Sequence, residues 1–241
     1  MNSNDSPDRR YAVVLAGGMG TRLRNVVADV PKPMAAIQST PFLVYVLRYL
    51  MKQGISDVVL SVGYKHEVIM AYFGDRFENL RIHYCIEDEP LGTGGGIRKA
   101  LGQVEADHAF VLNGDTLAFL DYRLMHQYHR QAGTRLSMAL KRVGDISRYG
   151  EVVMADHKIA GFREKEHSGP GLINVGVYLI DTGLFDDFEL PRIFSFENDF
   201  LKPNLVSLAP EAFITEGYFI DIGVPEDYLR AQTELSGQLD A

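Results

Sequence analysis

An α/β protein with a mixed, mostly parallel central sheet flanked by helices is expected from three features of this 241-residue chain. A short apolar run, Tyr11–Ala16, ends in Gly17-Gly18, the pattern of a buried strand feeding a glycine loop. Apolar runs then alternate with segments of helical spacing as far as Asp115. Beyond that point strand-like runs follow one another with few helices between them.

In order, Phe42–Gln53 carries Leu43, Val46, Leu47 and Leu50 on one helical face, and Gly54 stops it. Asp57–Val62 reads as the second strand, Lys65–Phe73 as a helix and Arg81–Ile86 as the third strand. Gly94–Leu101 is a short helix after a glycine cluster. Ala109–Leu112 is a fourth strand, ending at Asn113-Gly114-Asp115. In the second half Leu136–Val143, Glu151–Met154, Lys158–Arg163, Leu172–Ile180 and Ala212–Ile220 read as strands, and Glu226–Leu235 as a closing helix. No repeat and no low-complexity linker interrupts the chain. One domain over 1–241 is expected, with lobes at about 11–130 and 131–241.

Composition narrows the class. Hydrophobic residues are 46% and charged residues 23%, ordinary for a globular protein and too apolar for a disordered one. A single cysteine, Cys85, excludes a disulfide scaffold and reads as inert core. The net charge of −8 points away from nucleic acid. No apolar run approaches the roughly 20 residues of a membrane helix, and Met1–Arg10 is polar, unlike a secretory signal. A cytoplasmic protein without membrane or nucleic-acid partners is expected.

The most informative stretch is Leu15–Arg24, LAGGMGTRLR, followed by Pro31-Lys32-Pro33. Gly17, Gly18 and Gly20 let backbone N–H groups approach a ligand closely. Thr21 adds a hydroxyl, Arg22 a planar fork for phosphate oxygens and Lys32 a point charge. Together they suit a polyphosphate. The run is not a Walker loop, which needs G-x-x-x-x-G-K-[ST]. Nor is it a dinucleotide fingerprint, because Gly18-Met19-Gly20 is followed by Leu23 where glycine is required.

LAGGMGTRLR…PKPM resembles the signature of the sugar nucleotidyltransferases, which join a nucleoside triphosphate to a sugar 1-phosphate. Further runs extend the resemblance along the chain. Pro90–Gly95 is similar to the family's base-recognition turn, Val111–Asp115 to its metal-binding strand end and Phe162–Lys165 to its sugar-phosphate segment. Asn174-Val175-Gly176 and Phe219–Gly223 are similar to its sugar and second-metal positions. The runs GLINVGVYL, FSFENDFL and YFIDIGVPEDY look most like the branch acting on GTP and a heptose 1-phosphate. One departure stands out: Val175-Gly176 occupies the place where two adjacent glycines are expected.

The resemblance implies a Rossmann-like (GT-A type) fold with a nucleotide-binding lobe and a strand-rich sugar-binding lobe. It implies attack of a sugar-1-phosphate oxygen on the α-phosphorus of the triphosphate. That nucleophile is largely ionised at neutral pH, its second pKa being about 6. No general base is needed, and the task is to align two anions and neutralise charge. Asp115 and Asp221, each ending an apolar strand, would hold Mg²⁺. Arg22 would hold the leaving β- and γ-phosphates, Lys32 the α-phosphate and Lys165 the sugar phosphate. The nucleotide site would comprise Leu15, Ala16, Gly17, Gly18, Gly20, Thr21, Arg22, Lys32, Glu87, Gly92, Thr93, Asn113 and Gly114, with Glu87 accepting from guanine. Tyr149, Gly150, Glu164, Lys165, Asn174, Gly176 and Glu197 would face the sugar, although Tyr149 suits core packing and Phe196–Phe200 a helix start equally well.

Partners implied are GTP and a sugar 1-phosphate, in a homo-oligomer (dimer or tetramer), with the product feeding surface polysaccharide or glycan synthesis. Mannose-1-phosphate guanylyltransferases and enzymes using dTTP or UTP are alternatives. A non-catalytic nucleotide-sugar sensor would have lost Arg22, Lys32 or a metal aspartate, and all four residues are present. His126 and His129, three apart on an expected helix, are expected on a solvated face rather than at a metal.

Overall fold

The computed structural model describes residues 9–18, 30–163 and 168–235. Its strands are β1 (Tyr11–Leu15), β2 (Ala36–Ile37), β3 (Thr40–Pro41), β4 (Asp57–Val62), β5 (Arg76–Phe77), β6 (Leu80–Ile86), β7 (His108–Asn113), β8 (Thr116–Ala118), β9 (Leu136–Val143), β10 (Glu151–Ala155), β11 (Lys158–Arg163), β12 (Gly171–Asp181), β13 (Glu211–Thr215) and β14 (Phe219–Asp221). The helices are α1 (Phe42–Lys52), α2 (His66–Phe73), α3 (Gly92–Leu101), α4 (Tyr122–Ala132), α5 (Leu205–Leu208) and α6 (Pro225–Glu234).

Ten strands form one sheet in the order β10-β11-β13-β9-β12-β7-β1-β4-β6-β5. The run β7-β1-β4-β6 is parallel, as the β-α alternation predicts. Beyond β7 the sheet continues largely through antiparallel pairs, with β13 parallel to β9. The α/β fold and the mixed sheet are therefore as expected, but the sheet is not mostly parallel. Parallel pairing is confined to β7-β1-β4-β6 and β13-β9, and the other neighbouring pairs are antiparallel because the second half adds strands in succession with few helices between them. Strand order reverses at β1, whose neighbours are β4 and β7. Ligands in open α/β sheets bind beyond the carboxyl ends at such a point, and here those ends are Leu15, Val62, Ile86 and Asn113.

Both faces of the sheet are covered, which is why these strands are apolar throughout rather than alternating. Ala12, Val14, Val58, Leu60 and Val62 pack on one side with α1, where Leu43, Val46, Leu47 and Leu50 are all buried. Tyr11, Val13 and Val59 pack on the other with Ile97 and Leu101 of α3 and with Phe185, Phe194, Phe196 and Phe200. Cys85 lies in this second layer, and burial pushes its thiol up, consistent with inert core.

One expected strand is corrected. Ala212–Ile220 is two strands, β13 and β14, separated at Gly217. A Cβ at Gly217 would lie 1.9 Å from the Phe119 carbonyl oxygen, so the chain turns there against the Phe119 backbone. Thr215 Oγ1 donates to the same carbonyl at 2.8 Å. The break frees β14 to pair with β8 in the register Asp221↔Thr116.

Candidate active site

That register brings the two expected metal aspartates together. Asp115 immediately precedes β8, Asp221 ends β14, and the Ile222 amide donates to the Asp115 carbonyl at 3.0 Å. Lys32 lies in a short 3₁₀ turn, Lys32–Met34, set up by Pro31 and Pro33. Its Nζ contacts Asp115 and lies 3.9 Å from Asp221 Oδ1. The Gly223 amide donates to Asp221 Oδ1 at 2.7 Å. A Cβ at Gly223 would lie 2.7 Å from Asp221 Oδ1 and 3.0 Å from Lys32 Nζ, so a side chain there would push both charged ends aside. Burial, and then the neighbouring Asp115 charge, push the Asp221 carboxyl above the usual aspartate range, against the opposing pull of Lys32. Two partly exposed carboxylates sharing one site are a donor set that fits Mg²⁺, which typically takes one or two carboxylates and completes its shell with phosphate and water.

Beside this cluster a cavity of about 660 Å³ opens at the carboxyl ends of β1, β4 and β6, within the range that holds a small-molecule ligand. Leu15, Gly17, Gly18, Glu87, Gly92 and Thr93, read from the sequence as nucleotide-site residues, line it. Pro90, the start of the run similar to the base-recognition turn, lines it too, and Gly63, Tyr64 and His66 do so with no motif that names them. Glu87 is fixed from two sides: Oε1 accepts from Ser61 Oγ at 2.8 Å, and Oε2 from the Leu91 amide at 3.1 Å. A carboxylate has about four acceptor positions, so capacity remains for guanine N–H groups. Ser61, a fully buried hydroxyl inside the apolar run DVVLSV, was the readable signal for this support.

Gly92 and Thr93 line the cavity, and Gly92, Gly94 and Gly95 all meet the Arg192–Phe194 segment. A Cβ at Gly94 would lie 2.2 Å from the Phe194 ring, and one at Gly95 2.6 Å from the Arg192 carbonyl. Thr93 Oγ1 accepts from the Phe196 amide at 2.9 Å. Packing against this segment therefore shapes the turn.

On the other side of Asn113, β12 bulges between Asn174 and Tyr178. Asn174 Nδ2 donates to Glu197 Oε1 and to the Tyr178 hydroxyl, both at 2.6 Å, and Tyr178 donates to Glu197 Oε1 at 2.7 Å. Three expected sugar residues, Asn174, Gly176 and Glu197, thus meet around an unforeseen tyrosine. Gly176 has φ +70°, and a Cβ there would lie 2.7 Å from Asn113 Nδ2. Val175 is buried in the core, so the one glycine that the bulge demands is retained. Glu197 sits in a π-helical turn, Phe196–Leu201, whose Ser195 cap accepts from Asn198. Tyr149 packs edge-on against Phe219 with Arg148 over its ring, and Gly150 follows it near the Arg163 carbonyl. Gly20, Thr21, Arg22, Glu164 and Lys165 lie outside the described residues.

His129 corrects one expectation. It is fully buried in the last turn of α4, not on a solvated face, and Asp121 upstream is the helix N-cap, accepting from the Leu124 amide at 2.8 Å.

The nucleotidyl transferase family pattern matches residues 11–238 of the chain. The chain belongs to the nucleotidyl transferase family. Among relatives of this family, a D-glycero-α-D-manno-heptose 1-phosphate guanylyltransferase of Aneurinibacillus thermoaerophilus is 46% identical over 93% of this chain and 97% of its own length. One of the same name from Campylobacter jejuni is 46% identical over 90% of this chain and 96% of its own. The crystal structure of HddC from Yersinia pseudotuberculosis superposes with a TM-score of 0.85 at 39% identity, covering 94% of this chain and 99% of that one. It is also known complexed with GMP-PN, with a TM-score of 0.84. A mannose-1-phosphate guanylyltransferase of Mycobacterium tuberculosis is 35% identical over 93% of this chain but only 64% of its own length. No described helix of this nucleotidyl transferase is long and apolar enough to cross a membrane.

Proposed function

We propose that the protein transfers GMP from GTP to D-glycero-α-D-manno-heptose 1-phosphate, releasing pyrophosphate. The observation that carries the substrate choice is the 46% identity, over at least nine-tenths of each chain, to two guanylyltransferases of that specificity. The geometry supports the reaction class. A sugar-phosphate oxygen forms a bond to the α-phosphorus of GTP, the bond from that phosphorus to the bridging oxygen breaks, and pyrophosphate leaves with the electron pair.

In this reading the cavity holds the nucleoside, with Glu87 kept in place by Ser61 and Leu91 to accept from guanine. Asn174 and Glu197 face the sugar, oriented by Tyr178. Asp115 and Asp221 would hold Mg²⁺, which when bound neutralises phosphate charge between the two anions. Lys32 supplies a fixed positive charge at the same point. Arg22 and Lys165 are assigned to the leaving pyrophosphate and the incoming sugar phosphate on the resemblance alone. The protein is assigned to the cytoplasm, where GTP is available, as a homo-oligomer whose product serves polysaccharide or glycan assembly.

Pyrophosphate release with Mg²⁺ and the heptose 1-phosphate, run against GTP, ATP, dTTP and UTP, tests the proposal. Release with GTP at a kcat/KM at least tenfold above the others is expected. Preference for another triphosphate would overturn the base assignment, and no release with any would overturn the reaction.

A further inference from the structure

At the opposite end of β7 from Asn113, three potential metal ligands meet from three separate elements. His108 opens β7, His129 lies in the last turn of α4 and Asp181 ends β12. Five steps along the strand separate His108 from Asn113, roughly 17 Å at the usual rise, so this cluster is remote from the proposed reaction centre.

The spacing is that of a coordination shell. His108 Nε2 and His129 Nε2 each lie 3.3 Å from Asp181 Oδ1, and the three ligand atoms lie within 4.8 Å of one another. Ligands about 2.0–2.1 Å from a tetrahedral zinc ion are themselves about 3.3 Å apart. The buried His129 ring is oriented from behind, its Nδ1 lying 2.8 Å from Ser137 Oγ. A hydrogen-bond partner on the outer nitrogen is the usual support of a metal-bound imidazole. Arg135 Nε is 3.9 Å from Asp181 Oδ2, but that guanidinium is engaged at closer range by Asp187, at 2.6 Å, and by the Gly183 carbonyl. A cavity of about 190 Å³ adjoins His108 and is also lined by His126, Arg10 and Arg130.

We propose that His108, His129 and Asp181 bind a zinc-type divalent cation, whose fourth position is taken by water or a small anion from that cavity. Two imidazoles with one carboxylate suit Zn²⁺ or Co²⁺ and discriminate against Mg²⁺, which prefers oxygen. The ion clamps β7, β12 and α4 together at the end of these central strands away from the nucleotide.

Equilibrium dialysis of the full chain against Zn²⁺ in excess Mg²⁺ tests this, with Co²⁺ as the spectroscopic probe. One equivalent of Zn²⁺ is expected in the wild type and in Asp115→Asn, and the Co²⁺ form should show the intense visible bands of a tetrahedral site. His108→Ala and Asp181→Asn should each lose about a hundredfold or more in affinity, and Ser137→Ala about ten- to a hundredfold. Turnover of His108→Ala with Mg²⁺ should match the wild type. His108 is 26% exposed, so its variant carries the test if Asp181→Asn fails to fold. Absence of stoichiometric Zn²⁺, an octahedral Co²⁺ spectrum, or unchanged affinity in His108→Ala would each overturn the proposal.

Discussion

Lys32 Nζ contacts the Asp115 carboxylate across the carboxyl end of the parallel strands and stands 3.9 Å from Asp221. One cation is thereby set against two acids that sequence separates by more than a hundred residues. The arrangement depends on the break at Gly217, which turns β14 onto β8.

Asp115→Asn keeps the side chain's shape and removes one of the two negative charges. Turnover should fall by roughly a hundredfold or more, the usual scale for losing one electrostatic group at a reacting phosphate. The far-ultraviolet circular dichroism and melting temperature should stay near wild type. A variant that folds and turns over normally would remove Asp115 from the site.

Burial and Asp115 keep the Asp221 carboxyl protonated to a higher pH than an ordinary aspartate. The protonated form cannot hold a cation, so activity should fall as pH drops through a value above 3.8, the ordinary aspartate value. Because Mg²⁺ competes with that proton, raising its concentration should move the acid limb of kcat/KM to lower pH. A limb indifferent to Mg²⁺ would contradict the assignment.

Gly176→Ala tests the bulge beside Asn113. Its φ of +70° disfavours any Cβ, and the new methyl would press on Asn113 Nδ2. A loss of about 1–3 kcal/mol in stability is expected, with a raised KM for the sugar phosphate because Asn174 donates from the same bulge. Urea denaturation and initial rates measure both; unchanged values in the two would rule out a constrained position.

Asp57 anchors the start of β4. Burial opposes its ionisation, but Arg81, bound through two 2.7 Å contacts, together with Ser56 and His83, outweighs it and holds the carboxyl at about 2. The folded-state value lies below the unfolded 3.8, so this stabilisation is present above 3.8 and lost as pH falls toward about 2. Asp57→Asn should cost about 1–2 kcal/mol at pH 7, discounted for the exposed face of Arg81. Its stability should then vary less than wild type over that acid interval; an identical pH profile would contradict the role.

Periodicity located the helices and strands of the first half, because strands buried on both faces read as continuous apolar runs, as in Asp57–Val62. It missed the split at Gly217, since Ala212–Ile220 is apolar on either side of a turn dictated by a distant carbonyl. The motif resemblance brought Asp115, near the middle of the chain, and Asp221, more than a hundred residues later, to one site. It could not assign Gly94, whose partner Phe194 lies a hundred residues away, nor Tyr178, whose hydroxyl holds Asn174 and Glu197. Such contacts arise from the close approach of remote segments and leave no local pattern. His129 was misplaced for a similar reason: α4 is strongly polar, and only the fold reveals that Ser137 and Asp181 receive this histidine inside.

The most direct test of the account is a competition in one tube, with Mg²⁺, GTP and equal concentrations of D-glycero-α-D-manno-heptose 1-phosphate and mannose 1-phosphate, the products resolved by mass. The account predicts GDP-heptose and pyrophosphate in equal amounts, with GDP-mannose a minor product. Predominant GDP-mannose, or pyrophosphate without a matching nucleotide sugar, would contradict it.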